Sequence, residues 1–492
     1  MGNTSIAQIM DPLSLCQNPP LPEDEHSTQS IKASSDFLLP LEGNLPATEP
    51  VYIPPERAVR AVFAIHRDIA FDRIYRKVKA LGKGSYGDVY LAEEIDAAGR
   101  LVAVKELVDG SSPAEEGPAI RSYSTEISAL SALPPHPRIV RVFEAFENDD
   151  GMYQIVMEPC WGGELYDHIV HTARKRPSVA RGLPEAEASS LMRQVLEALA
   201  FVHARHIVHR DVKAENFLFV DENDRSRLKL CDFGAAASLR AVAGGKAKGR
   251  IGTLSYAAPE VYRSKGADTR SDMWSAGVVL YVMLCAASPF RQSGDRSTKV
   301  VVHRVKAGSF IRNRPAWHNL SEAAVDLVTR LLIVEPSQRL TAAEALRHPF
   351  IRAASPSNTL CISTPSTRRK LGRYLALPPQ RKELLRTAAS LVPESQLGDM
   401  SRLFAAADLD HDGRVDLNEL ESLVTGDGMN PSPLETTSSM AHGHWDLIFD
   451  YLDFIVAIDG AVTSEKLNSL SPAIARSSRS CGFLVEAPPV LE

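Results

Sequence analysis

His209-Arg210-Asp211-Val212-Lys213-Ala214-Glu215-Asn216 places a carboxylate, an amine and a carboxamide close together in the chain. Asp232-Phe233-Gly234 follows with a further carboxylate. One acid can take a proton, the lysine can offset negative charge, and the amide with the second acid can hold a divalent cation. That combination suits phosphoryl transfer. Its transition state spreads charge over the phosphoryl oxygens, so it needs cations and positioning more than covalent chemistry.

Working outward, Leu81 precedes Gly82-Lys83-Gly84-Ser85-Tyr86-Gly87-Asp88-Val89, a G-x-G-x-x-G-x-V loop between strand-like segments. Glycines there let backbone amides approach phosphates with no Cβ in the way. A dinucleotide fold would need the loop to open a helix, whereas Val89-Tyr90-Leu91 reads as a returning strand. Val102-Ala103-Val104-Lys105 comes next, and Glu126 lies in a helical stretch beyond it.

Taken together, residues 75–350 resemble a eukaryotic Ser/Thr protein kinase. The resemblance implies a catalytic set of Asp211, Lys213, Lys105 and Glu126. Asp211 would orient the acceptor hydroxyl and take its proton, and Lys213 would neutralise charge on the γ-phosphate. Lys105 would contact the α- and β-phosphates and pair with Glu126. Mg²⁺ would be held by Asn216 and Asp232. ATP would be bound by Leu81, the loop from Gly82 to Val89, Lys105, the hinge residues Glu158 and Cys160 behind the gatekeeper Met157, and Glu164 near the ribose. Glu164 and Glu215 match family positions that bind basic substrate residues before the acceptor. Ala258-Pro259-Glu260 resembles the end of the activation segment, and Arg339 stands where the buried partner of Glu260 is found. Val212 and Ala214 replace the family's usual Leu and Pro. Between Gly234 and Gly252 the activation segment carries Arg240, Lys246, Lys248 and Arg250 and no acid, so Arg210 has no obvious anionic partner there.

Asp408-Leu409-Asp410-His411-Asp412-Gly413-Arg414-Val415-Asp416-Leu417-Asn418-Glu419 matches D-x-D-x-D-G-x₅-E throughout. Asp408, Asp410, Asp412, the Arg414 carbonyl, Asp416 and a bidentate Glu419 are the expected Ca²⁺ ligands, and Gly413 permits the sharp turn. Hands pair, and the best register for a second is residues 442–453. His442 and His444 stand there at positions that want acids, and Asp453 is short for the clamp. It reads as a structural partner that binds no calcium. The order of kinase, basic junction and hands resembles the calcium-dependent protein kinase family. The implied fold is an α+β bilobal protein kinase fold followed by an all-α EF-hand domain. The implied cofactors are ATP, Mg²⁺ and Ca²⁺. Family members usually carry four hands, whereas this chain offers one intact and one degraded.

The expected organisation is a disordered extension over 1–70, with a short helix near 58–69; a kinase domain over 75–351; a junction over 352–382; an EF-hand pair over 383–460; and a tail over 461–492. Arg368-Arg369-Lys370-Leu371-Gly372-Arg373 in the junction could imitate a basic substrate against Glu164 and Glu215. Expected partners are therefore protein substrates with basic residues near the Ser/Thr acceptor, and the junction and hands within the same chain. The net charge of -6 excludes a general nucleic-acid binder. The cysteines are scattered with no Cys-x-x-Cys pair, which fits a reducing compartment. With no basic segment and apolar run at the N-terminus, a cytoplasmic location is expected. Met1-Gly2-Asn3 invites myristoylation, but Ile6 stands where Ser or Thr is usual, so membrane attachment is not the expectation. The apolar stretch 273–290 reads as a buried helix. Two alternatives to a calcium-regulated kinase stay open: a constitutive kinase with a structural hand, and a calcium-responsive scaffold.

Overall fold

A computed structural model describes residues 63–83, 87–96, 99–108, 117–148, 151–249, 253, 255–295, 297–353, 370, 373–374, 376–392, 397, 400–416, 419 and 448–458. Several sequence expectations lie outside these residues. They concern Gly2, the loop tip at Gly84, Ser85 and Tyr86, the basic pair Arg368 and Arg369, His442 and His444, and the tail 461–492.

Alternating apolar residues from Tyr75 onward build a six-stranded sheet in the order β1-β5-β6-β4-β3-β2. Its strands are β1 Ala64–His66, β2 Tyr75–Lys83, β3 Gly87–Glu94, β4 Leu101–Val108, β5 Val142–Glu147 and β6 Met152–Met157. β2 and β3 form an antiparallel hairpin, and β4 lies between β3 and β6 with Lys105 opposite Val89 and Ile155. Gly87 has no substitute at this crossing, since a Cβ there would lie 1.6 Å from the Glu106 carbonyl oxygen. Helix α1, Pro118–Ser131, packs on the sheet and starts with proline at its first turn, where the missing N–H costs nothing.

The helix expected near 58–69 is not formed over its described part. Residues 64–66 are a strand that pairs in parallel with β5. Ala64 and His66 are buried on one face, and His66 Nε2 lies 2.7 Å from Glu144 Oε2. A ladder with a ready edge strand satisfies these backbone groups better than an isolated turn of helix.

The second lobe is helical. Its main elements are α2 Leu165–Arg174, α3 Glu185–Ala204, α4 Pro259–Tyr262, α5 Thr269–Cys285, α6 Thr298–Ala307, α7 Glu322–Leu331, α8 Ala342–Leu346 and α9 Pro349–Ala353. Helix α5 opens on a capping box, with Asp268 and Ser271 satisfying each other's amides. It is buried from Ser271 to Cys285, which accounts for its apolar run. Among the described residues no helix is long and apolar enough to cross a membrane. Two short strand pairs frame the motif at 209–216: β7 Ile207–Val208 with β10 Ala237–Ser238, and β8 Phe217–Phe219 with β9 Leu228–Leu230.

A third unit holds α10 Pro379–Ser390, α11 Met400–Ala407, β11 Arg414–Asp416, β12 Ile448–Asp450 and α12 Tyr451–Ile458. Helical patterning in the sequence resumes at Glu383, but α10 begins at Pro379, again using proline in the first turn. β11 and β12 pair antiparallel with Val415 opposite Phe449. Counting from Asp408 and from His442, each is the eighth loop position. The apolar core of this unit, including Phe404, Tyr451 and Phe454, is continuous with the outer face of the first-lobe sheet at Tyr75, Val102 and Phe143.

Candidate active site and calcium loop

The cleft between the lobes gathers the charged residues that the motifs singled out. Lys105 Nζ on β4 donates to Glu126 Oε2 on α1 at 2.6 Å and to Asp232 Oδ1 at 2.7 Å. Burial works against the lysine's charge, but Glu126 and Asp232 outweigh it and raise its pKa. Burial likewise raises Glu126, whereas at Asp232 the same burial is overcome by Lys105 and the carboxylate is held low. Asp232 adopts φ 62°, a left-handed backbone that turns its carboxylate toward Lys105 while Phe233 packs into the core beside His209.

Across the cleft, Asp211 is fixed by donors on both oxygens. Thr253 N–H reaches Oδ1 at 2.7 Å and Lys213 Nζ reaches Oδ2 at 2.6 Å. Lys213 also lies 3.2 Å from Thr253 Oγ1. Asn216 Nδ2 donates to the Asp211 carbonyl at 2.8 Å, which leaves its Oδ1 as the atom able to meet a cation. Buried Asp272 on α5 holds the loop from below by accepting from the His209 and Arg210 amides at 2.8 and 2.9 Å. Arg210 resolves the puzzle of the acid-free activation segment. Its guanidinium donates to the Lys248 and Gly249 carbonyls at 2.9 and 3.2 Å. Main-chain oxygens take the place of an anion, which composition alone does not disclose.

Around this centre, Leu81 is an exposed apolar residue near the end of β2, and Gly82, Lys83, Asp88 and Val89 flank the loop tip. Glu158 and Cys160 follow β6 at the hinge, with Glu158 buried. Glu164 immediately precedes α2, with no side-chain bond to the helix's first amides, and Glu215 accepts from the Tyr256 hydroxyl at 3.3 Å. Burial, together with the charges of Asp167 and Glu215, pushes the Glu164 carboxyl up to about 7. Arg339 is paired with Glu260, its Nη1 at 2.9 Å from Oε1, beneath α5.

The loop beginning at Asp408 brings the carboxylates of Asp408, Asp410 and Asp412 within 4.8 Å of one another. Asp408 Oδ2 accepts from Gly413 N–H at 3.0 Å, and its buried Oδ1 has no hydrogen-bond partner in the structure. Burial pushes Asp408 up to about 8, and Asp412, Glu419 and Asp410 add to the shift. An orphaned carboxylate oxygen inside an acidic cluster fits a hard cation with oxygen ligands. Gly413 has φ 79° and Arg414 carries the carbonyl at the seventh position. Glu419 accepts from the amides of Leu409 at 2.8 Å and Asp416 at 3.0 Å, and Asp416 Oδ1 accepts from Glu419 N–H at 2.8 Å. In the second hand, Arg386 from α10 bridges Asp450, at 2.5 Å, and Asp453. Tyr374 donates to Asp453 as well. A guanidinium is thus paired with two of that hand's three acids, and the third, Asp446, lies outside the described residues. Sequence reading did not find Arg386, because it lies in another helix.

A bilobal fold with these charges in its cleft defines a protein kinase, and residues 75–351 match the protein kinase domain family. The chain is 31% identical over 394 residues to calcium-dependent protein kinase 3 of Plasmodium berghei (strain Anka), covering 79% of this chain and 67% of that protein. It is 32% identical to calcium-dependent protein kinase 11 of Oryza sativa subsp. japonica, covering 80% of this chain and 66% of that protein. With calcium-dependent protein kinase 24 of Arabidopsis thaliana it shares 32% identity, over 70% of this chain and 56% of that protein. The chain belongs to the calcium-dependent protein kinase family.

Proposed function

We propose that this chain transfers the γ-phosphate of ATP to serine or threonine hydroxyls of protein substrates, and that calcium at the loop 408–419 regulates the transfer. Asp211 carries the reading: its carboxylate is aimed by Thr253 and Lys213 and stands across the cleft from the Lys105–Glu126–Asp232 cluster. Lys105 binds the α- and β-phosphates. Asp211 orients the acceptor hydroxyl and takes its proton as the oxygen bonds to the γ-phosphorus and the bond to the β-bridging oxygen breaks, releasing ADP. Lys213 offsets charge on the transferred group. Magnesium, when held by Asn216 and Asp232, supplies further neutralisation of the phosphate oxygens.

Glu164 and Glu215 form an acidic patch beside Lys213, which supports a preference for basic residues near the acceptor. The run at 368–373 carries the matching charge, and it would compete for that patch when calcium is absent.

The test is transfer of labelled γ-phosphate to a basic Ser/Thr peptide by the full chain and by Asp211→Ala. The expected loss in kcat is roughly 10²- to 10⁴-fold, the usual contribution of a positioned base. Undiminished transfer by the variant would contradict the assignment.

A further inference from the structure

Residues 136–141 lie between the hinge and the EF-hand unit and touch both. Arg141 is 4% exposed. Its Nη1 donates to the carbonyls of Ala389 at 2.8 Å, in the last turn of α10, and of Val392 at 2.6 Å, just beyond its end. Its main chain faces the other way. Arg141 N–H donates to Glu158 Oε1 at 2.8 Å, and its carbonyl accepts from Glu158 N–H at 3.0 Å. The same Glu158 oxygen accepts from Lys229 Nζ at 2.6 Å, and Lys229 is wholly buried in β9, just before Asp232.

The other end of the segment meets the calcium loop. The His136 ring stacks on Phe201 at 4.0 Å between centroids and meets the edge of Phe404. Gly413 packs on the same phenylalanine so closely that a Cβ there would lie 2.2 Å from the ring. Arg205, just past the end of α3, donates to the Asp412 carbonyl at 2.8 Å. The calcium loop and the end of α10 thus grip one short segment of the kinase at its two ends.

We propose that residues 136–141 are the seat through which the EF-hand unit sets the position of the nucleotide hinge, with Arg141 as the positioning residue. The inference rests on the reading of the chain as a calcium-regulated kinase. The Arg141 side chain holds the unit, while its backbone holds Glu158, whose own backbone lines the adenine site. Neither Asp211 nor Lys213 is bonded to this segment. The segment's own backbone stays paired with Leu230 of β9, two residues before Asp232, so loss of the Arg141 side chain is read out in nucleotide binding rather than in phosphoryl transfer.

The experiment is steady-state kinetics on full-length Arg141→Ala in saturating calcium. The KM for ATP is expected to rise roughly 3- to 10-fold with kcat held within about twofold. Arg141→Lys, which keeps the charge and can reach one carbonyl, should fall in between. A purely structural arginine would lower the active fraction, and so kcat, at unchanged KM, and that result overturns the proposal. If Arg141→Ala does not fold, Arg205→Gln loosens the calcium loop from Phe201, the ring on which His136 of the seat stacks. It is expected to raise the KM for ATP in the same way, and an unchanged KM overturns the proposal. Transfer by the wild type with no KM response in either variant sinks this inference alone. No transfer by the wild type sinks the functional reading beneath it.

Discussion

Glu164 is poised to titrate where most carboxylates do not. It sits at the start of α2, where burial and the like charges of Asp167 and Glu215 hold its proton up to about 7. Only the ionised form attracts a basic substrate. As pH falls from 8 to 6 the carboxylate gains a proton and the attraction is lost. The KM for a basic peptide should rise roughly 3- to 10-fold over that interval, about what one partly screened charge pair contributes. Glu164→Gln should show the higher KM at pH 8 and a flat profile below it. A wild-type KM that is level between pH 6 and 8 would remove Glu164 from peptide recognition. Lys105 offers no such handle, since Glu126 and Asp232 keep it protonated throughout.

Helix α10 joins two devices that a single strand or loop could not. Arg141 holds the Ala389 carbonyl in its last turn and the Val392 carbonyl just beyond it, and Arg386 on its side pairs with Asp450 and Asp453. With Arg386 as their cation, Asp450 and Asp453 are paired in the absence of a metal, and the second hand is expected to bind none. Arg386→Met should destabilise the EF-hand unit by about 2 kcal/mol, the scale of hydrogen bonds to charged groups. Chemical denaturation measures this, and an unchanged midpoint would contradict it. Titration calorimetry should find one calcium per chain in the wild type, and a second bound calcium would overturn the metal-free reading of residues 442–453.

Elements also mark where reading from sequence succeeds. The motifs around Asp211, Asp232 and Asp408 were legible because phosphate and calcium chemistry fix residue types at short spacing. The pairing register of Val415 with Phe449 follows from counting loop positions. The partners of Arg141 and Arg386 were not legible, since they lie on elements far away in sequence and no local pattern announces them. β1 escaped notice because three residues carry too little alternation to separate strand from helix. Arg210 misled for a different reason: composition shows side-chain charges, whereas its partners are backbone carbonyls.

At the scale of the whole molecule, one apolar core runs from the first-lobe sheet into the EF-hand unit. The calcium loop meets the second lobe as well, with Asp412 and Gly413 against Arg205 and Phe201 at the end of α3. A ligand can shift such an arrangement only by binding one state more tightly than another. Occupancy of the loop is therefore expected to bias how the unit sits on the kinase. Asp408→Ala removes the buried carboxylate of that loop. It should abolish any calcium response while leaving the residues of the cleft in place, as checked by nucleotide binding in chelator. A calcium response that survives the substitution would place the sensor elsewhere in the chain.

The central claim is that calcium controls phosphoryl transfer by this chain. Its most direct test is phosphorylation of a basic Ser/Thr peptide by the purified full-length protein with Mg-ATP, in excess chelator and in micromolar free calcium. Transfer that appears only with calcium is the predicted result. Equal rates in both conditions would contradict the claim and leave a constitutive kinase with a structural hand.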